Sequence, residues 1–449
     1  MELDHFCKNG VIVSIPVSEL NRLKQSTTYK EKISAFQAKV YYHKIRTVCL
    51  TTVKEVNETR AIVRLPKYLT PYHYNQKIYP IQIVDNIKLH PQQKKYFTLL
   101  KTAMKEKQGI CLNLKPGSGK TILAIKLLSL LKVKTVIVVH KEFLRDQWIE
   151  SIVKFTDISR DAIGIIQGSV CDTDKPIIIA MLQTLWKKER LNIHYNLLIV
   201  DEVHNIGAEA FFKSLTCALP MCKYTLGLSG TTERTDGLSP LFEAYLGKIV
   251  KPADDSVRTL LTVIPYFLSS ENEAYVSKVN KRTGVLDVVG ITTSLATYEA
   301  RTEYIFKIIC KLQENKLNQI LILSERISFL DSLKAKLITA NIRFSCNYSK
   351  FRTYTSSDNG IILATYAMAS EAFDVQDLNV LVLASSISTP NKFLQTIGRI
   401  NRNCEINKSD KIIIDIVDKP FSYQYTKRLN LLRNNFDVIV KKGYEVVIN

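Results

Sequence analysis

Short, almost uninterrupted apolar runs recur along most of the chain, with polar stretches of helical length between them. ICLNL (110–114), TVIVV (135–139), PIIIA (176–180), YNLLIV (195–200) and YTLGLS (224–229) form one series. QILIL (319–323), GIILAT (360–365), NVLVLAS (379–385) and KIIIDIV (411–417) form a second. Runs without a polar alternate suit central strands of a parallel sheet covered by helices on both faces, which predicts an α/β fold. Residues 1–88 read differently: VIVSIPV (11–17), TVCLTTV (47–53) and AIVRL (61–65) are short, β-branched and broken by Pro-containing segments. They predict a small, partly β N-terminal accessory domain. The KPADDS turn, the ENEAYVSKVNKR stretch and the patch around Gly284 and Gly290 make residues 251–300 a linker or insertion with a helical excursion.

Length supports dividing the two series. At roughly 150 residues per domain, 449 residues make two to three domains. The expectation is α/β domains over 89–250 and 301–449; one large doubly wound domain is the alternative, disfavoured because single cores seldom grow that far. A hydrophobic content of 46% suffices for proper cores and excludes a disordered chain. With 62 Lys and Arg against 42 Asp and Glu, the formal charge of +20 suits a polyanionic partner, though colloidal solubility also uses such charge. Cys217 and Cys222 form the only close pair among nine cysteines and lack a second pair for a tetrahedral metal site. MELDHFCKNG carries acidic residues where a secretory signal would start basic, and no run reaches the roughly 18 apolar residues of a membrane span. These features predict an intracellular, reduced protein with no membrane partner.

Two segments carry chemistry. In LNLKPGSGKT (112–121), a strand would end near Leu114, and a turn through Lys115, Pro116, Gly117, Ser118 and Gly119 would lead into a helix. Backbone N–H groups of such a turn point at phosphates, Lys120 would reach the β and γ phosphates, and Thr121 would ligate Mg²⁺. Leu114 stands where the general pattern has its first glycine; a chance glycine turn is the competing reading. In LLIVDEVH (197–204), an apolar strand delivers Asp201 to hold Mg²⁺ through water, and Glu202 to orient and deprotonate the water attacking the γ phosphate. Alone, such an acidic pair is as readily a cap or surface turn. Its occurrence eighty positions after Thr121 favours the catalytic reading, with Mg²⁺ shared with a nucleoside triphosphate; the resemblance that follows implies that the nucleotide is ATP.

With these motifs in place, the chain resembles the superfamily 2 helicases over approximately 89–420. KLHPQQ (88–93) resembles the family's glutamine element, which implies that Gln93 reads adenine. VVHKEFLRDQW (138–148) and MLQTL (181–185), the latter with Gln183 and Thr184, resemble elements that touch a nucleic-acid strand. LGLSGTTERTDG (226–237) is similar to the segment coupling ATP to strand movement, centred on Ser229, Gly230 and Thr231, with Gly230 and Thr232 where Ala and Pro are usual. ATYAMASEAFDV (364–375) resembles the second domain's sensing loop, with Glu371 and Asp374 retained and Ala372 replacing a usual Gly. In QTIGRINR (395–402), one helical face would carry Gln395, Arg399 and Arg402, and the arginines would meet developing γ phosphate charge; a solvated basic helix is the bland alternative.

The resemblance implies two tandem RecA-like parallel-sheet domains and ATP-dependent translocation on, or unwinding of, DNA, single-stranded or duplex. The RTDG sequence at Arg234–Gly237 and the GRINR spelling are similar to the branch of DNA-repair translocases and phage recombination helicases. The compact layout also resembles the poxvirus transcript-release helicase and its relatives in large DNA viruses. That branch implies transcription or repair machinery as partners, and residence in cytoplasm or nucleus, or in virions for a virus-encoded protein. RNA is the alternative substrate; the DEVH box and GRINR ending differ from the DEAD-box RNA helicase pattern and favour DNA. A non-enzymatic scaffold would not need Lys120, Thr121, Asp201, Glu202, Arg399 and Arg402 together. A restriction-enzyme motor would require a nuclease on another subunit.

Overall fold

The structure is a computed structural model that describes residues 11–26, 28–30, 47–49, 52–56, 60–65, 67–69, 76–114, 117–188, 191–203, 206, 214–215, 219–230, 239–252, 260–277, 279, 286–315, 318–349, 351–352, 360–371, 378–387, 389, 393–394, 396–398 and 411–448. The chain divides into two compact units, Met1–Asp255 and Ser256–Asn449. Each is built on a mostly parallel sheet flanked by helices, as the apolar runs predict and in the RecA-like manner that the resemblance implies.

In the first unit the strands run from edge to edge as Ile249–Val250, Gly109–Asn113, Tyr224–Ser229, Leu197–Val200, Thr135–Val139, Ile177–Met181, Ile163–Gln167 and Val170–Cys171. All neighbours are parallel except the last pair. Period-two alternation sorts the side chains onto two faces. Val136, Val138, Ile178, Ala180, Leu198 and Val200 enter one core, whereas Ile110, Leu112, Ile137, Ile179, Ile199 and Leu226 enter the other. Both faces are covered, so the strands show no polar alternate.

The N-terminal region forms small antiparallel pairings, with Arg60–Leu65 between Val11–Pro16 and Thr52–Val56, and Thr28–Lys30 beside Thr47–Cys49. The boundary expected at residue 88 does not separate packing from packing. Lys67 Nζ donates to the carbonyls of Cys222 and Lys223, and Tyr68 OH donates to Gln108 O at 2.9 Å. Residues 76–90 then run as an extended strap along the first sheet's helices. Ile81 N donates to Lys132 O (3.0 Å), Asn86 N to Phe155 O (3.1 Å), and Asp85 pairs with Lys126 at 2.7 Å. Ile83 and Ile87 are buried in the core beneath. Its inward residues Ile81, Ile83, Ile87 and Leu89 fall on alternate positions, the period of an extended segment with one face on the core, interrupted only by Asp85.

The second unit's sheet runs Phe351–Arg352, Phe344–Tyr348, Ile361–Thr365, Ile320–Ser324, Val380–Leu383, Lys411–Asp418, Leu260–Ser269, with Asp437–Val440 and Tyr444–Val447 both against Leu260–Ser269. The segment 251–300, expected as linker or insertion, therefore supplies a ten-residue strand of the sheet as well as the expected helix, Val288–Thr297. Pro265 disguised the strand, because proline cannot donate to a ladder and argues against a central position. Asp437–Val440 pairs only with residues 260–263 and Tyr444–Val447 only with 266–269, so Pro265 lies at the break between two short partners. Two buried ion pairs brace this unit. Arg301 grips Asp418 through Nε (2.7 Å) and Nη2 (2.8 Å) and donates to Ala384 O, while Arg428 grips Asp415 and donates to Ser386 Oγ.

Candidate functional site

Three neighbouring strands of the first unit carry the predicted segments at their carboxyl ends. Gly109–Asn113 leads to the glycine turn, Leu197–Val200 to Asp201 and Glu202, and between them Tyr224–Ser229 leads to Gly230. Two strand spacings are roughly 10 Å, so sequence positions eighty apart meet within reach of one triphosphate. Leu114 N donates to Ser229 O at 3.0 Å, fastening the start of the turn to the middle strand.

The turn needs its glycines. Gly117 and Gly119 have φ of 86° and 80°, in the left-handed region that a side chain disfavours. Gly119 is the N-cap of the helix Lys120–Leu131, whose first bond runs from Leu123 N to Gly119 O at 3.0 Å. Unpaired N–H groups in that first turn are suited to phosphate oxygens. Gln93 lies against the turn: a Cβ on Gly119 would meet its Nε2 at 2.3 Å, and Nε2 donates to Ser118 O at 3.5 Å. Its Oε1 accepts from His90 N (3.1 Å), so Gln93 ties the first turn of the helix Pro91–Glu106 to the phosphate loop.

Lys120 Nζ lies 3.4 Å from Leu114 O and 3.7 Å from Glu202 Oε1, bridging the loop and the acidic pair. Asp201 is buried at 7% exposure. Its Oδ1 accepts from Glu202 N and its Oδ2 from Trp148 Nε1, each at 2.9 Å. Burial first, then the adjacent Glu202 carboxylate, push the Asp201 carboxyl up to about 6, against the opposing pull of the Trp148 hydrogen bond and the Lys120 charge. Glu202 has φ of 48°, uncommon for a residue with a side chain. The oxygen donors of Thr121 and Asp201 fit a hard divalent ion shared with a nucleotide, and among the described residues no cluster of three His, Cys, Asp or Glu forms a separate metal cage.

The two elements compared with strand-contacting segments also meet. Gln183 Nε2 donates to His140 O at 2.5 Å, and Thr184 Oγ1 accepts from Gly168 N at 2.9 Å. Glu371 is the last residue of the short helix Tyr366–Glu371 in the second unit. Lys115, Pro116, Thr231, Arg234, Asp374, Gln395, Arg399 and Arg402 lie outside the described residues. Trp148 was missed as a partner of the acidic pair. Its spacing with Leu144 and Ile152 reads as a core stripe, and the available signal was an indole N–H that needs an acceptor once buried.

A parallel sheet that presents a left-handed glycine turn, a lysine and an acidic pair along one edge defines the phosphate-loop class of nucleotide hydrolases. The profile of the family described as Type III restriction enzyme, res subunit, matches residues 86–234. A protein of Acanthamoeba polyphaga mimivirus, provisionally named an ATP-dependent RNA helicase, is 31% identical over 372 residues, spanning 80% of this chain and 69% of that protein. The DNA 3'-5' translocase of Sulfurisphaera tokodaii is 26% identical over 434 residues, spanning 87% and 92%. Among solved structures, S. cerevisiae Dbp5 bound to RNA and ADP BeF3 superposes with a TM-score of 0.50 at 11% identity, over 80% of this chain and 94% of that one, a likeness of fold alone. The chain belongs to superfamily 2 of the helicases and translocases, in the company of viral members. It is an ATP-hydrolysing enzyme that acts on nucleic acid.

Proposed function

We propose that the chain is a DNA motor, coupling ATP hydrolysis to translocation along a duplex or to its separation, in viral-type transcription, repair or recombination. The observation that carries the motor reading is the meeting of the glycine turn, Lys120, Asp201 and Glu202 along one sheet edge. In this reading the turn and Lys120 bind the phosphates, Thr121 and Asp201 hold Mg²⁺, and Glu202 activates water. Mg²⁺ held there would supply positive charge against that of the phosphates. Gln93, seated on the turn, favours adenine. The strand is engaged at the Gln183 and Thr184 segment, and Ser229, Gly230, Thr231 and Arg234 relay nucleotide state to it. From the second unit, Glu371, Asp374 and Gln395 sense the nucleotide and strand, while Arg399 and Arg402 supply positive charge as phosphoryl charge redistributes.

DNA is favoured over RNA by the GRINR and RTDG spellings and by the archaeal relative named a DNA translocase, whose length this chain nearly spans. The RNA reading is supported by the names of the mimivirus relative and of an African swine fever virus relative, each provisionally an ATP-dependent RNA helicase. ATP turnover measured with duplex DNA, single-stranded DNA and RNA at one salt concentration decides between them, and stimulation by RNA alone would overturn the DNA assignment. Replacing Arg399 or Arg402 with Ala is expected to lower nucleic-acid-stimulated turnover roughly a thousandfold while nucleotide affinity changes little, since such a charge acts mainly in the transition state. Folded variants that keep their stimulated turnover would remove the second unit from catalysis.

A further inference from the structure

Asp201 is gripped from a helix that neither phosphate motif includes. Trp148, in the middle of Glu142–Phe155, is 1% exposed, and its Nε1–H donates to Asp201 Oδ2 at 2.9 Å. The indole is held by close packing in the core that also receives Leu144, Ile149 and Ile152. A buried indole has two side-chain torsions and one donor, so a packed ring places that N–H rigidly. The other oxygen, Oδ1, accepts from the backbone N–H of Glu202. One donor on each oxygen fixes the carboxylate plane while leaving each oxygen a further lone pair, the capacity needed to accept from a metal-bound water.

We propose that Trp148 is a positioning residue for the metal site, holding the Asp201 carboxylate in the orientation in which it receives Mg²⁺ with the nucleotide. A core role alone would not require this pairing, because any backbone carbonyl would satisfy an indole N–H. The arrangement instead spends the helix's single buried donor on the acidic pair. Outer partners that orient a ligating group affect metal affinity about ten- to a hundredfold when removed. The proposal rests on the reading of Asp201 as the metal-holding carboxylate, and the test separates the two.

Trp148→Phe keeps the ring in its pocket and deletes only the donor. Binding of a fluorescent ADP analogue is measured across a magnesium titration and again in excess EDTA. The expected result is a magnesium requirement raised about tenfold, with metal-free affinity unchanged. A packing defect would weaken both. Asp201→Asn serves as the reference: if it leaves the magnesium dependence unaltered, the metal-site reading itself fails. If Asp201→Asn shifts that dependence and Trp148→Phe does not, only the role of Trp148 is overturned.

A second measurement does not depend on the Trp148→Phe variant folding. The chain has two tryptophans, Trp148 and Trp186, so Trp186→Phe leaves Trp148 as the sole indole emitter. Its emission is expected to change more with ADP and Mg²⁺ together than with ADP in EDTA. Equal responses would show that the indole does not sense the metal and would overturn the proposal.

Discussion

Gly119 leaves little room for a side chain in the glycine turn. Its φ of 80° is unfavourable for any side chain, and an added Cβ would lie 2.3 Å from Gln93 Nε2. Gly119→Ala therefore strains the backbone by roughly 1–2 kcal/mol and displaces the amide that joins the turn to the helix Pro91–Glu106. Nucleotide affinity is expected to fall at least about tenfold while the melting temperature falls only a few degrees. Nucleotide titration beside thermal unfolding checks this, and an unchanged affinity would mean that the turn does not hold phosphate. At this scale, the placing of the glycine turn and Lys120 beside Asp201 and Glu202 was expected from the sequence, because each motif is a short, local run at the end of an apolar strand. Trp148 was not, because a hydrogen bond between residues 53 positions apart leaves no periodic trace.

Elements show a similar division. Strands buried on both faces, such as Thr135–Val139 and Ile320–Ser324, announce themselves as apolar runs. Leu260–Ser269 does not, since its residues alternate in exposure and Pro265 interrupts its outer ladder. In the second unit, Arg301 on the helix Glu299–Gln313 is 2% exposed and joins Asp418, at the end of its strand, to Ala384 O. Tyr275 OH also donates to Asp418, at 2.9 Å. Arg301→Ala leaves a buried carboxylate without its cation, which costs about 3–5 kcal/mol. A fall in the second unit's melting temperature of roughly 10 °C is expected in calorimetry. A loss of only a degree or two would show that the pair is nearly neutral for stability.

For the whole molecule, a formal charge of +20 matters more for association than for folding. If phosphate contacts provide most of the affinity, binding of a short duplex should weaken roughly a thousandfold between about 50 and 200 mM salt, with a linear log–log plot. Fluorescence anisotropy over that range measures the slope, and salt-insensitive binding would rule out a backbone-tracking mode. Among the described residues, no helix is long and apolar enough to cross a membrane.

By itself the sequence determined the α/β class, the position of most central strands and the two short motifs that end their strands, because hydrophobic period and motif spacing are local properties. Only the tertiary structure decided that Tyr224–Ser229 lies between the strands leading to the turn and to Asp201, that the strap 76–90 belongs to the first core, and that Trp148 reaches Asp201. Strand order follows from which edges pair and which faces bury one another across long separations in the chain. A run such as LLIV carries the same local pattern whichever neighbour it joins, so its partners are settled only when the faces pack.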